Sequence, residues 1–246
     1  MVPQHVLALR SQAQHRLRWL GPVFLTDLVA RGLRPPLLVI SDGAPGLLAA
    51  CEQVFARSLR QRCLIHRARN ILAKVPTEAQ SEVKAAYWQI FDLSDHDLTR
   101  HPVGPELVAF VQARIDTFAT AYQGSYPAAV KCLLADREQL TSYLRFPSEH
   151  HRRIRHSNFI ERTFGETRRR VKVIGRLPGE TSCLSLVWAV LDRASRGWRG
   201  FTMTTDATRH LHDLRRALLE PPAQLRPRNT TPAEQDEAAD TVGAVA

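Results

Sequence analysis

A mixed α/β fold in which helix dominates is predicted by three features of this 246-residue sequence. Leu37 to Ser41 is a short apolar run after Pro35-Pro36, with the length and composition of a buried strand. Residues 60–66 (RQRCLIH) form a second run of strand type. Most of the rest, above all residues 67–145, carries helical periodicity.

The elements follow in order. Residues 22–32 predict a helix that Gly32 ends, with Phe24, Leu25, Leu28 and Val29 on its apolar side and Asp27 facing solvent. The strand at 37–41 comes next. Residues 45–57 predict a helix with Pro45 near its first turn and Leu48, Cys51, Val54 and Phe55 on one side. The pattern from 67 to 145 is broken at Pro76, at Pro102–Pro105 and at Gly124–Pro127. Two more helices are expected at 158–173 and 181–195. From Pro221 the chain is proline-rich and then acidic, without apolar periodicity, which predicts a disordered tail.

Composition narrows the function. Hydrophobic residues make up 44% and charged residues 24%, ordinary for a folded domain, which excludes wholesale disorder. The net charge is +10, and only four of the 34 basic residues are lysine. The charge is concentrated in two places. Residues 53–77 hold six bases and no acid, and residues 150–176 hold nine bases and two acids. The remainder is net acidic, so the expected partner is an anionic polymer such as nucleic acid, met through patches. The longest apolar stretch, Leu184 to Leu191, falls far short of the ~20 residues of a membrane span, and no signal peptide is evident. Cys51, Cys63, Cys132 and Cys183 lie far apart and read as reduced thiols of a cytoplasmic protein.

Three motifs bear chemistry. Asp42 ends the first strand and is followed by Gly43-Ala44-Pro45-Gly46. A carboxylate there sits at the mouth of an α/β sheet, where ligands bind. An Asp that shapes the turn or caps the next helix is the competing explanation. Cys63 and His66 form a Cys-x-x-His pair, but no second Cys/His pair completes four zinc ligands. On a strand the two would point to opposite faces, so no zinc is expected and they read as a core Cys and a sheet-edge His. The third motif runs from Ser157 to Arg170. Asn158 with Glu161 has the form of a capping box, and Arg162 with Glu166 that of an i,i+4 pair. Equally, one acid amid arginines suits a metal ligand beside phosphate-binding cations. The residues alone leave both open.

VISDGAPGL, RCLIHRARNIL and SNFIERTFGETRRRVKVIGRLPGETSCLSLVWAVL together resemble the catalytic half of mutator-type bacterial insertion-sequence transposases, from about Leu25 to Met203. The resemblance implies a DDE enzyme with an RNase H-like core. It implies that Asp42 is the second catalytic Asp and Glu161 the catalytic Glu, both metal ligands, with Cys63 and His66 a structural motif near the active site. It implies two Mg²⁺ (or Mn²⁺) ions, DNA cleavage and strand transfer without a covalent protein–DNA intermediate, and transposon-end and target duplex DNA as partners. Arg152, Arg153, Arg155, Arg162, Arg168, Arg169, Arg170 and Lys172 would then hold the DNA backbone, with His150, His151 and His156 adding contacts. The 118 residues between Asp42 and Glu161 would contain a helical insertion. The expected organisation is an unassigned segment 1–20, a discontinuous core of 21–75 and 150–215, an all-helical insertion 76–149, and a tail 216–246. A homo-oligomer is expected of the full-length enzyme, in the cytoplasm at the nucleoid.

One part of the family pattern is not met. The first catalytic Asp belongs on an upstream strand, and Asp27, inside a predicted helix, is the lone acid of residues 1–41. The sequence therefore reads as a family member without its N-terminal portion, its core incomplete on that side, poorly soluble, and inactive alone. The alternatives are a non-catalytic DNA-binding remnant that interferes with full-length transposase, and a single-metal RNase H-like nuclease relying on Asp42 and Glu161.

Overall fold

The computed structural model describes residues 21–176, 178–196, 200 and 203–220. The segment 1–20 and the tail from Pro221 lie outside these residues. A helix over residues 21–30 (α1) leads to strand β1 (Leu38–Ser41), helix α2 (Pro45–Val54) and strand β2 (Leu59–Arg62). The two strands are parallel, registered Leu38 to Leu59 through Ser41 to Arg62, and α2 is the crossover that a parallel pair requires. Both strands therefore end at the same edge of the sheet. Among the described residues the sheet has two strands.

Beyond β2 the chain is mainly helical: α3 (Leu64–Leu72), α4 (Gln80–Ile90), α5 (Asp95–Arg100), α6 (Pro105–Tyr122), α7 (Pro127–Leu134), α8 (Ser148–Ile154), α9 (Asn158–Ile174), α10 (Glu180–Ser195) and α11 (Thr205–Leu219). Short 3₁₀ turns occur at Thr77–Ala79 and Ser142–Arg145. Pro105 and Pro127 each open a helix, where a missing N–H costs nothing. No described helix is long and apolar enough to cross a membrane.

The core is helical. Leu64, Ile71, Val83, Tyr87, Phe91, Leu107, Ile115 and Leu133 are buried together, drawn mainly from α3, α4, α6 and α7. Tyr87 is 1% exposed, and its hydroxyl donates to the Leu64 carbonyl at 2.9 Å, so the buried phenol is satisfied. The outer edge of β2 is covered by irregular chain. Arg62 N–H donates to Gln139 O at 2.8 Å, and the buried Gln61 amide accepts from Tyr143 N–H and donates to Leu140 O. That covering satisfies the Arg62 end of an otherwise open hydrogen-bonding edge.

Three details bear on the sequence reading. The second strand stops at Arg62, because Cys63 turns to become the N-cap of α3. The apolar side expected for α1 is only partly covered: Leu25 and Leu28 are half-buried, whereas Phe24 is 61% exposed and Val29 40%. Asp27 does face solvent and pairs with Arg31 at 3.4 Å.

Candidate active site at the sheet edge

Asp42 is the first residue beyond β1, and Gly43 follows at φ +88°, a conformation that favours glycine. Asp42 Oδ1 accepts the Ala44 N–H at 3.1 Å, an Asx turn, while Ala44 itself caps α2. The carboxylate is thus a turn-former and not a cap. It is exposed, with lone pairs left for a ligand.

Gly43 answers a second demand that the sequence does not reveal. The Arg62 guanidinium, arriving from the neighbouring strand, fills the space a Cβ at position 43 would occupy. Arg62 and Arg67 both pair with Asp136, Arg62 at 3.0 Å. Arg67 also donates to Cys132 O at 2.8 Å. Burial and the neighbouring Arg67 lower the Arg62 pKa, and the Asp42 carboxylate acts in the opposite direction. A fixed, buried cation therefore stands beside Asp42.

Cys63 occupies the matching place beyond β2, its N–H donating to Ser41 O at 2.8 Å. This hydrogen bond puts Cys63 next to the root of Asp42. The segment preceding α9 then docks on Cys63. Leu64 N–H donates to Arg155 O at 3.1 Å, and Ser157 N–H points to Cys63 Sγ at 3.4 Å. Ser157 caps α9, and Glu161 lies in that helix's first turn. Ser157 Oγ donates to Glu161 Oε1 at 2.6 Å, and His66 Nδ1 is 3.6 Å from the same oxygen. Ligand atoms of Cys63, His66 and Glu161 all lie within 4.8 Å of one another.

The expectation that Cys63 and His66 point apart is therefore corrected. They sit on a helix N-cap and its first turn, not on a strand, and share one side with Glu161. The capping box read at Asn158 is replaced by the Ser157–Glu161 bond. Ser157, which touches both Cys63 and Glu161, is the residue that sequence reasoning misses. Its one signal is a hydroxyl four positions before the acid.

The expected DNA-contacting residues divide. Arg162, Arg168, Arg169, Arg170 and Lys172 are exposed on α9. Arg169 and Arg170 are held by Glu166, at 2.5 and 3.0 Å, so the Glu166 partner is not Arg162. Those two bonds also lower the Glu166 pKa, the Arg169 bond most. On a helix, Arg168 and Lys172 follow Glu161 by seven and eleven residues and so share its face. Arg152 is exposed, and Arg153 donates to Gly200 O. Arg155 turns inward, donating to Phe91 O at 3.4 Å. His150 and His151 are buried, 4% and 8% exposed, which removes them from a solvent-facing DNA surface. In the first basic stretch, Arg62 and Arg67 are likewise internal.

Comparison with known proteins agrees with the motif reading. The family model for the Mutator family of transposases matches residues 6–200, which includes residues 6–20 that the sequence alone does not place. The chain is 35% identical over 188 residues to the transposase for insertion sequence element IST2 of Acidithiobacillus ferrooxidans, covering 76% of this chain and 59% of that one. It is 30% identical over 225 residues to the transposase for IS6120 of Mycolicibacterium smegmatis, covering 88% and 64%. It is 32% identical over 188 residues to the transposase for IS1081 of Mycobacterium tuberculosis, covering 76% and 42%. The chain thus spans less than two thirds of the length of these relatives. Three sequence motifs, the hydrogen bonds that link their segments one to the next and a family match across most of the chain lead to one statement: this chain belongs to the Mutator family of transposases.

Proposed function

We propose that this chain is the catalytic portion of an insertion-sequence transposase of the DDE type. Its core, residues 21–75 and 150–215, is RNase H-like, and residues 76–149 are a helical insertion. The observation that supports the reading is a chain of hydrogen bonds: Cys63 bonds Ser41, the residue before Asp42, and Ser157 bonds both Cys63 and Glu161. Both carboxylates offer hard oxygen donors, which fit Mg²⁺ or Mn²⁺. When bound, a pair of such ions supplies Lewis acidity for attack on a phosphodiester and for the departing oxygen.

The protein's own groups do the positioning. Ser157 Oγ fixes the Glu161 carboxylate, and the Asx turn fixes Asp42. Arg168 and Lys172 extend the Glu161 face as a cationic track for a DNA backbone. Arg152 and Arg162 add charge, with duplex DNA of transposon ends and target as the partner. Full-length protein acts as a homo-oligomer in the cytoplasm. With Asp42 and Glu161 as two of three carboxylates, this chain alone is inactive in strand transfer. Its intact cationic helix supports a second reading, a DNA-binding remnant that interferes with the longer enzyme.

Fluorescence anisotropy with duplex DNA tests the reading. Binding is expected to weaken steeply with salt and to survive Glu161→Gln. Arg168→Ala and Lys172→Ala should each reduce the log–log salt slope by about 0.9. No duplex binding at low salt overturns both readings. Mg²⁺-dependent end joining by this chain, lost in Asp42→Ala, overturns the inactivity.

A further inference from the structure

We propose that Cys63, His66 and Glu161 form a three-ligand site for a borderline-soft divalent cation of the zinc class. The donor atoms already lie within 4.8 Å of one another. The His66 Nδ1 to Glu161 Oε1 separation is 3.6 Å, and two such ligands about 2.0–2.2 Å from a tetrahedral ion sit ~3.4 Å apart. For that pair, closing on an ion needs a shift of tenths of an ångström, and the Cys63 sulfur, within the 4.8 Å span of the three donors, needs to close by about 1 Å to reach the ~3.6 Å of a tetrahedral sulfur–nitrogen pair.

A second observation points to the same place. His66 Nδ1 is buried without a hydrogen-bond partner, although it faces a carboxylate. Buried polar atoms are ordinarily partnered, and a cation between ring and carboxylate would partner this one.

The surroundings resemble an outer ligand shell. Ser157 donates its hydroxyl to Glu161 and its backbone N–H to Cys63 Sγ, orienting two of the three ligands at once. Cys63 is fully buried, while the His66 and Glu161 side chains are 25% and 36% exposed, which leaves an entry path on their side. Sulfur and imidazole select zinc-class ions over Mg²⁺, and three protein ligands leave a fourth position for water or substrate. Binding requires Cys63 as thiolate and releases its proton to solvent.

The test is Co²⁺ titration of the purified, reduced chain. One equivalent should bind, with a sulfur-to-cobalt charge-transfer band and intense tetrahedral d–d bands, and Zn²⁺ should displace it while Mg²⁺ does not. Cys63→Ser should abolish the charge-transfer band. His66→Ala and Glu161→Gln should weaken binding at least tenfold, and Ser157→Ala by about 10–100-fold. Serine at Cys51, Cys132 or Cys183 should leave the band intact. Absence of the band, or its survival in Cys63→Ser, overturns the site. If circular dichroism shows Cys63→Ser to be unfolded, His66→Ala decides, and unchanged cobalt affinity in that variant overturns the site. The titration contains no DNA, so failure to bind duplex leaves its result standing.

Discussion

His151 gives the fold a pH dependence of definite sign. The ring is 8% exposed, and its Nε2 lies 2.7 Å from the Phe146 carbonyl. Burial, reinforced by the Arg155 cation, lowers its pKa from 6.5 to about 4 against the opposing Phe146 bond. In the unfolded chain the ring protonates as pH falls through about 6.5, whereas in the folded chain it stays neutral until about 4. Between those values the unfolded state holds more protons, so stability falls as pH falls. Integrating the difference from about pH 7 down to pH 5 gives a loss of about 2 kcal/mol. Urea unfolding followed by tryptophan fluorescence at several pH values measures it. His151→Gln removes the titration, so its loss over the same interval should shrink to the part that His156 contributes, a ring that burial also depresses. Wild-type stability that is flat or rises from pH 7 to 5 refutes the reasoning.

Other perturbations probe the scaffold. Asp136→Asn strands the buried Arg62 and Arg67, and a loss of about 3–5 kcal/mol is expected in urea unfolding. A loss below about 1 kcal/mol would mean that water already solvates the trio. Ile71→Ala, at a fully buried position in the helical core, should cost about 2–5 kcal/mol and lower the melting temperature. Gly43→Ala combines a positive φ with a collision against Arg62, and should destabilise by more than about 1 kcal/mol, whereas the same replacement at a compatible glycine stabilises slightly. Equal stability in that variant would show the guanidinium free to swing away.

How legible the molecule is depends on how far apart the deciding residues lie. The strand at 38–41 and the helix opened by Pro45 are readable because apolar clustering and proline placement are local signals. RQRCLIH misleads because a seven-residue run does not say where a strand ends. Cys63 keeps a ladder hydrogen bond to Ser41 O and yet begins a helix. That one-residue boundary turns a pair expected on opposite faces into neighbours. The first basic stretch misleads for a different reason. Arg62 and Arg67 look like surface charge because their counter-ion, Asp136, lies about seventy residues further on. The exposed cations of α9, by contrast, are readable, since a helical run so rich in arginine has nowhere to bury them.

The hydrogen bond from Leu64 N–H to Arg155 O ties together the two ends of the long helical segment. Its consequence concerns time. Asp42 and Cys63 are synthesised well before Ser157 and Glu161, and at roughly 5–20 residues per second the interval lasts several seconds. During it, α3 to α7 acquire the partners of their own core, which among the described residues draws on none of α9. Once that core has formed, its two ends are already close, and the entropy of joining Glu161 to the sheet edge has largely been spent. The helical segment thus acts as a clasp that sets the order of assembly. Lengthening or shortening its outer loops should leave the site intact, whereas severing the Leu64–Arg155 junction should delay the arrival of Glu161 without preventing the helices from folding.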